Sequence, residues 1–267
     1  PRYRIRSIRV QHVDPEGRAL VEPPLYPAEE VDDVVQVRPG EYYDNDRLRR
    51  DALSIQEFYG RRGHPPASYP GMAAAQQQGC RVFPPREIFG DGPEVDIVFQ
   101  VSEGLPKRLR DVVIRGNRFT RDHVIRRRFR VLPGERIDML EVERALQRIE
   151  QTRFFQDPVT LSGPRLQIEP VSRDEVDLAL DVEDGPTGEL RWGVGISTGI
   201  GAQAQITFNK RNFDLFNPPS SANPITAIGE ILDAKAFHGG GQNLSMLLAP
   251  GSRQSQFAVT FVEPDLF

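Results

Sequence analysis

The chain has 267 residues, which is enough for two or three domains. Its formal net charge of −4 gives no general attraction to nucleic acid, so no nucleic-acid partner is expected. The single cysteine, Cys80, excludes an internal disulfide and a four-cysteine metal site, and no apolar run approaches the roughly 18 residues of a membrane-spanning helix.

Residues 1–107 are predicted to form a first α+β domain. Its expected elements, in order, are a strand at 3–12, a turn at 14–17, a short helix at 28–35, a helix at 45–60 and a strand at 95–101. Asp44 is predicted to cap the longer helix, because its carboxylate can accept from the free amides of the first turn. The Pro- and Gln-rich stretch 65–93 is interpreted as a short strand plus an exposed insertion.

Residues 108–186 are predicted to form a second, more compact domain of the same kind. A strand around 112–114 comes first, then a helix capped by Thr120 that runs through Phe129. Asp138 and Glu141 have capping-box spacing at the start of the next helix. Two strands follow, and an edge strand is expected within 158–169; its candidate residues are Val159, Leu161, Leu166 and Ile168. An edge strand of this kind can accept another chain as an added strand.

The two domains are predicted to be copies of one β-α-α-β-β unit. Residues 37–44 match residues 131–138 at Val, Pro, Gly, Glu and Asp, 94 positions apart. The apolar spacing of the following helix is also kept, and residues 95–104 mirror residues 176–185. We therefore expect two tandem domains that superpose, with the insertion at about 65–93 as the main difference.

The pattern changes after Gly185, where residues 187–267 alternate between apolar and polar positions. Four segments of this kind, at 189–197, 201–209, 244–248 and 257–261, predict an antiparallel sheet of about four strands. Such alternation is typical of a transmembrane β-barrel wall, and equally of a soluble antiparallel sheet with one wet face. In the barrel interpretation the lipid-facing residues are Leu190, Trp192, Ile206, Phe208, Phe257 and Phe261.

A long connection, residues 217–241, interrupts these strands. Its segment 225–237 is predicted to include a short amphipathic helix at one rim of the sheet. Four strands are fewer than the roughly eight that a closed bacterial barrel needs. Together with the start at Pro1, which lacks an initiator methionine or signal peptide, this predicts a processed or cut piece.

The order of these pieces resembles the tandem polypeptide-transport-associated (POTRA) domains and first barrel strands of BamA-type outer-membrane assembly factors. The resemblance covers the whole chain and departs from the family at the 65–93 insertion and at the abrupt end. The motifs that carry it are the two Val-x-Pro-Gly-Glu-x-x-Asp boxes, Ile114–Asn117, Gly240–Leu244 and Phe261–Phe267.

The resemblance implies a cell outer-membrane location with the POTRA domains in the periplasm. It implies the assembly and insertion of β-barrel proteins, with unfolded outer-membrane protein clients, periplasmic or lipoprotein accessory subunits and outer-membrane lipid as partners. A related possibility is a POTRA-barrel transporter that secretes a passenger protein across the outer membrane. Neither function requires a catalytic residue, a metal or a cofactor, so none is predicted.

The first barrel strand is the candidate barrel seam, at which client strands would pair through the backbone. Its residues are Glu189, Leu190, Arg191, Trp192, Gly193, Val194, Gly195, Ile196 and Ser197. The two glycines lower β-propensity, which suits a seam that must open; they fit equally well a role in barrel curvature.

A serine esterase is the remote alternative. Residues 195–199 fit the nucleophile-elbow pattern around Ser197, and His238–Gly241 fits an oxyanion loop. However, the elbow needs a helix after the serine, whereas residues 201–209 have the period of a strand. The four histidines show no metal-ligand spacing, so no metal site is expected.

Overall fold

The computed structural model describes residues 3–20, 23–72, 79–155, 163–197, 201–232, 235–252 and 254–264. These residues form three separate sheets with five helices between their strands. Among them, no helix has the length and apolar character needed to cross a membrane. The α+β class and the order of two repeats followed by an antiparallel sheet are confirmed.

The first sheet is built around one central strand. Its elements are β1 (Arg4–His12), α1 (Ala28–Asp32), α2 (Asn45–Gly60), β2 (Arg81–Val82), β3 (Arg86–Phe89) and β4 (Glu94–Ser102). β4 pairs with β1 in parallel and with both β2 and β3 antiparallel. The 65–93 stretch therefore supplies two sheet strands where one was predicted. The core between sheet and helices contains Ile5, Leu48, Ile55, Tyr59 and Phe99.

The second sheet has three strands. Its elements are β5 (Arg108–Arg115), α3 (Asp122–Arg126), α4 (Met139–Thr152), β6 (Arg165–Pro170) and β7 (Glu175–Asp181), and the strand order is β5-β7-β6. α3 ends at Arg126, before the predicted Phe129. The prediction that Thr120 caps α3 is wrong: the N-cap residue is Arg121, which makes no side-chain cap bond. The Thr120 hydroxyl instead donates to the Asp184 carboxylate.

The repeated box has a specific backbone role in the first repeat. The Gly40 amide donates to the Ile5 carbonyl (2.7 Å), and the Ile5 amide donates to the Glu41 carbonyl (2.9 Å). Gly40 has a φ of 91°, which glycine adopts without steric cost. The box thus covers the outer edge of β1 near its start.

The second repeat reproduces this arrangement. The Gly134 amide donates to the Leu109 carbonyl (2.7 Å), and the Leu109 amide donates to the Glu135 carbonyl (2.9 Å). Gly134 has a φ of 89°. The match found in the sequence therefore reflects one piece of backbone geometry that covers the outer edge of the opening strand in both repeats.

Two further pairs of equivalent contacts support the repeat. Asp44 accepts from the amides of Asp46 and Arg47, and the predicted cap is confirmed; Asp138 accepts from Leu140 and Glu141 in the same way. Each central strand also presents a buried aspartate to an arginine on the opening strand. These pairs are Arg6 with Asp96 and Arg110 with Asp177. Arg6 lowers the pKa of Asp96 to about 2.

The third sheet is antiparallel throughout. Its elements are β8 (Gly188–Ser197), β9 (Gly201–Phe213), α5 (Pro224–Leu232), β10 (Gln242–Ala249) and β11 (Gln256–Val262), and the strand order is β11-β10-β9-β8. α5 lies within the predicted 217–241 connection and is shorter than the predicted 225–237 segment. Residues 198–200, between β8 and β9, lie outside the described residues.

Candidate functional site

β8 is an edge strand whose outer backbone groups can be assigned from its register. The Arg211 amide donates to the Thr187 carbonyl (2.9 Å), so this pair is of the hydrogen-bonded kind. Because such pairs alternate along an antiparallel ladder, every odd-numbered residue of β8 bonds to β9. The even-numbered residues point their N–H and C=O groups away from the sheet; they are Gly188, Leu190, Trp192, Val194 and Ile196.

A hydrogen bond on the far side of β9 supports this assignment. The Ala204 amide donates to the Pro250 carbonyl (2.9 Å), so it points away from β8. Ala204 lies directly opposite Val194, as expected for a pair that makes no hydrogen bonds to one another. Two independent contacts therefore give the same set of outward-pointing groups.

The predicted lipid-facing residues all lie on one face of the third sheet. Directly opposite residues share a face, and Trp192, Ile206, Leu248 and Phe257 form one continuous row across the four strands. A second row consists of Leu190, Phe208, Met246 and Val259, and Phe261 is opposite Leu244. Trp192 is 79% exposed, and Phe208 is half-buried. That this face contacts lipid remains a prediction.

The opposite face of the sheet carries polar and small residues. Arg191 lies opposite Thr207, and the two glycines of β8 lie opposite glutamines. A Cβ atom added at Gly193 or Gly195 would meet no atom within 4 Å. Close packing therefore does not require these glycines in the described structure, and both predicted roles, a weakened seam and curvature, stay open.

The root of β8 is fixed by a buried contact. The Thr187 hydroxyl, one residue before the strand, lies 3.2 Å from Nδ1 of His238, and both residues are buried. Burial and the nearby Lys210 lower the pKa of His238 to about 4, although Asp184 acts in the opposite direction. The histidine is consequently neutral at physiological pH, because burial and Lys210 outweigh the Asp184 carboxylate.

Asn212, at the end of β9, organises the backbone around this root. It is fully buried and has a φ of 54°, a left-handed conformation that asparagine tolerates. Its side chain donates to the Thr120 hydroxyl (2.7 Å) and accepts from the Gly241 amide (2.9 Å). Its carbonyl accepts from the Gly239 amide (2.8 Å). One side chain thus joins the segment before α3 to the end of β9 and the loop before β10.

The segment before α3 makes further contacts to the same loop. The Arg121 amide donates to the Gly239 carbonyl (3.0 Å), and the Arg121 guanidinium pairs with the buried Asp214 (2.6 Å). A Cβ at Gly239 would lie 2.1 Å from the Phe119 carbonyl oxygen, and the residue has a φ of 104°. We name this group the β8 root: Thr120, Thr187, Asn212, Asp214 and residues 238–241.

This geometry does not form the esterase constellation. β8 leads to β9, with no helix described after Ser197, whose side chain lies outside the described residues. His238 contacts Thr187 at the beginning of β8, and Ser197 is ten residues further along the strand. At about 3.3 Å per residue, the two are roughly 33 Å apart. The His238–Gly241 glycines serve the β8 root instead.

The prediction that the edge strand of the second sheet has unpaired backbone groups is wrong at Ile168. Its amide donates to the Pro70 carbonyl (2.9 Å), and a Cβ at Gly71 would lie 2.2 Å from the Ile168 carbonyl oxygen. Two positions further, Pro170 has no amide hydrogen. The 65–93 stretch therefore covers this edge. Leu166 stays a prediction, and Val159 and Leu161 lie outside the described residues.

The first repeat contains a buried polar cluster that the sequence does not indicate. Glu103 accepts from the Tyr59 hydroxyl (3.1 Å) and the Leu25 amide (2.8 Å), and its carbonyl lies 2.8 Å from Nδ1 of His64. His12 is 3.5 Å from the same carboxylate. Burial lowers the pKa of both histidines. Nothing in their sequence spacing indicates this grouping, since the fold brings together residues from 12 to 103.

The cluster binds the backbone of the segment before α1 through the Leu25 amide, and it does not resemble a metal centre. Within the described ranges, no group of three or more His, Cys, Asp or Glu side chains is arranged to hold a metal ion. Cys80 is buried close by, and burial raises its pKa to about 12, so the thiol is unreactive at neutral pH.

Comparison with known proteins agrees with this architecture. The profile of the POTRA family, described as a surface antigen variable number repeat, matches residues 8–104 and 107–185. The chain belongs to this family. The domain limits at 107 and 186 remain predictions.

Two curated relatives are named outer membrane protein assembly factor BamA. The protein of Nitratidesulfovibrio vulgaris is 30% identical over 118 residues, which is 44% of this chain and 14% of the relative. That of Neisseria meningitidis serogroup B is 25% identical over 173 residues, 63% of this chain and 19% of the relative. The chain thus spans less than a fifth of either relative, and its resemblance to BamA-type POTRA proteins is confirmed.

A solved structure extends the likeness in fold. BamA from Haemophilus ducreyi lacking POTRA domains 1–3 has a TM-score of 0.71 and 19% identity, covering 99% of this chain and 40% of that structure. The fold match therefore includes the third sheet as well as the two repeats.

Proposed function

We propose that this chain is part of an outer-membrane protein assembly factor, placed in the outer membrane with its POTRA domains in the periplasm. The similarity to BamA proteins supports this class of function. The apolar row of the third sheet would contact outer-membrane lipid. The partners would be unfolded outer-membrane protein clients and periplasmic or lipoprotein accessory subunits, and no catalytic residue or cofactor is assigned.

The observation that carries the proposal is the outer edge of β8, which no described residue covers. Between its root and Ser197, the backbone groups of Leu190, Trp192, Val194 and Ile196 point away from β9, and their side chains lie on the apolar face. A client strand in lipid must satisfy its own N–H and C=O groups, because unsatisfied groups there cost several kcal/mol each. Pairing with β8 would satisfy them before the client's own barrel closes.

The second sheet contributes less to this proposal. Its edge strand β6 has one outward amide taken by Pro70 and one position occupied by proline. Leu166, on the same side of the strand by alternation, is the remaining position at which a client could pair. In β8 four alternate residues, from Leu190 to Ile196, point their backbone groups outward, so we propose that client strands are recognised mainly there.

Site-specific crosslinking to a client stalled during insertion tests this directly. Cysteine at Val194 should crosslink to the client, whereas cysteine at Leu247 should not, because Leu247 lies on the other face and two strands inward. Crosslinks at Leu166 alone would contradict the role of β8. Crosslinks to a secreted passenger, with none to barrel clients, would favour the transporter alternative.

A further inference from the structure

A surface cavity at the start of β5 is lined by an excess of cationic side chains. Its volume is about 450 Å³, and its lining includes Lys107, Arg108, Arg136, Arg173 and one carboxylate, Asp174. The three arginines are exposed and Lys107 is buried. This volume is within the range of roughly 300–1,000 Å³ typical of small-molecule sites.

The backbone brings the arginines together. Arg108 and Arg136 lie directly opposite one another in an antiparallel bridge, and the Arg108 amide donates to the Asp174 carbonyl (2.7 Å). The Lys107 ammonium donates to the Arg173 carbonyl, which holds the turn before β7 against the cavity. Like charges directly opposite across a bridge are destabilising. The Arg108–Arg136 placement therefore costs stability, although the Arg108 guanidinium donates to the Gly134 carbonyl (2.9 Å), and a bound anion would offset that cost.

The first repeat provides an internal control. There Arg4 occupies the position of Arg108, since its amide donates to the Pro93 carbonyl (2.8 Å) and it bridges Tyr42. The Arg4 guanidinium lies 5.0 Å from the centre of the Tyr42 ring and 3.3 Å from its hydroxyl. The fold thus accepts tyrosine at the position of Arg136, where it stacks with the arginine.

The second repeat adds charge at three of the equivalent positions. Tyr3, Tyr42 and Gly92 in the first repeat correspond to Lys107, Arg136 and Arg173. Burial lowers the pKa of Lys107, Asp174 raises it and Arg173 lowers it, and the Lys107 ammonium donates to the Arg173 carbonyl. Apart from Lys107, three arginines against Asp174 leave two positive charges, compared with one from Arg4 in the first repeat. The repeat's fold does not require this excess.

We propose that this cavity binds a compact phosphate-bearing group, either a phosphate monoester or a diphosphate. Guanidinium groups present paired donors that match phosphate oxygens. A phosphate monoester carries about −1.5 to −2 at pH 7, a charge opposite in sign and similar in size to the excess charge of the three arginines over Asp174. A soluble phosphate compound and a phosphorylated lipid headgroup share this chemistry.

Calorimetric titration of the full chain in a neutral detergent with pyrophosphate tests the proposal. Arg136→Tyr, which installs the residue of the first repeat, should weaken binding by roughly ten-fold or more, because it removes a charged donor pair. Arg173→Gln should weaken it in the same direction. Arg50→Tyr removes the same charge from an exposed position of α2 outside the cavity and should change binding by less than about two-fold.

Further arms identify the source of the phosphate. Flotation with phosphatidic acid vesicles that depends on Arg136 and resists competition by pyrophosphate assigns a lipid headgroup; displacement by pyrophosphate assigns a group that soluble compounds can also supply. Equal weakening by Arg50→Tyr and Arg136→Tyr, or equal binding of succinate and pyrophosphate, would overturn the proposal. The proposal would also be overturned if the chain bound neither pyrophosphate nor phosphatidic acid vesicles. Circular dichroism of each variant confirms that it is folded.

Discussion

Two edge strands of this protein, β6 and β8, differ in whether other residues cover their outer backbone groups. An edge strand exposes amides and carbonyls that can template another chain. In β6 the chain covers this edge itself, with the Pro70 carbonyl on Ile168 and a proline at 170. In β8 the outward positions from Leu190 to Ile196 have no such cover among the described residues.

The difference shows where recognition can occur. Thr187, Asn212 and the 238–241 loop constrain β8 at its root, whereas no described residue covers its outer edge along the rest of its length. A strand of this kind can change partners at its edge without losing its attachment. β6 has a buried apolar side and an edge that is covered at Ile168 and lacks a donor at Pro170, so its sequence mainly serves the stability of the second sheet.

The largest expected effect concerns the attachment of β8. Gly239→Ala would place a Cβ 2.1 Å from the Phe119 carbonyl oxygen at a φ of 104°. We expect destabilisation of about 3–5 kcal/mol, from steric overlap with backbone and from strain. Gly193→Ala, which meets no atom within 4 Å, is the matched control and should stay within about 0.5 kcal/mol of the wild type. Denaturant unfolding measures both, and similar values would mean that the root is not rigid.

A substitution at Gly71 should expose the edge of β6, with a smaller effect on free energy than Gly239→Ala. Gly71→Ala would bring a Cβ to 2.2 Å from the Ile168 carbonyl oxygen, so we expect the Pro70–Ile168 contact to weaken by about 2–3 kcal/mol. Hydrogen exchange at the Ile168 amide should accelerate by roughly 30-fold or more. Gly134→Ala has the same positive φ with open space around it and separates strain from overlap. Unchanged exchange at Ile168 would show that the edge is not covered in solution.

Proline substitution compares the two edges in function. Val194→Pro removes an outward amide from β8 while sparing its bonds to β9, so client insertion should fall about ten-fold relative to Val194→Ala. Leu166→Pro in β6 should leave insertion within about two-fold of Leu166→Ala. Both proline variants must match their alanine controls in heat-modifiable gel mobility. Equal losses at the two edges would contradict the assignment of recognition to β8.

The smallest expected effect is on pH dependence. The pKa of His238 is lowered from its usual 6.5 to about 4, so the unfolded chain binds a proton before the folded chain does. The stability that depends on neutral His238 is therefore present above about pH 6.5 and is lost as the pH falls toward 4. Between pH 7 and 5.5 we expect a loss of about 1 kcal/mol. His238→Gln should remove this slope in denaturant midpoints, and an unchanged slope would exclude His238 as its source.

Local patterns were sufficient for much of the architecture. The repeated Val-x-Pro-Gly-Glu-x-x-Asp box marks a fixed backbone geometry, and Asp44 caps α2 through its own neighbouring amides. The alternation after Gly185 placed all six predicted apolar residues on one face, because side chains in a strand alternate strictly. These features depend on residues close in sequence, or on a period that any strand imposes.

Contacts between distant residues account for what sequence analysis missed. The four glycine-loop residues at 238–241 fit an oxyanion pattern, yet their environment is set by Asn212 and Phe119, which no local rule connects to them. Thr120 was predicted to cap a helix, and Asp184 and Asn212 engage it instead. The insertion was expected to be exposed, although Pro70 and Gly71 lie against β6.

The sequence by itself determined the two repeats and the alternating sheet, and it indicated that β8, the first strand after the repeats, is an edge strand. Each is fixed by periodicity or by short-range hydrogen bonding. Only the tertiary structure decided which edges are open, what holds the root of β8, and where the arginines of the second repeat meet. Those properties depend on backbone groups and charges up to 120 positions apart, such as Phe119 and Gly239, and the packing of the chain brings them together.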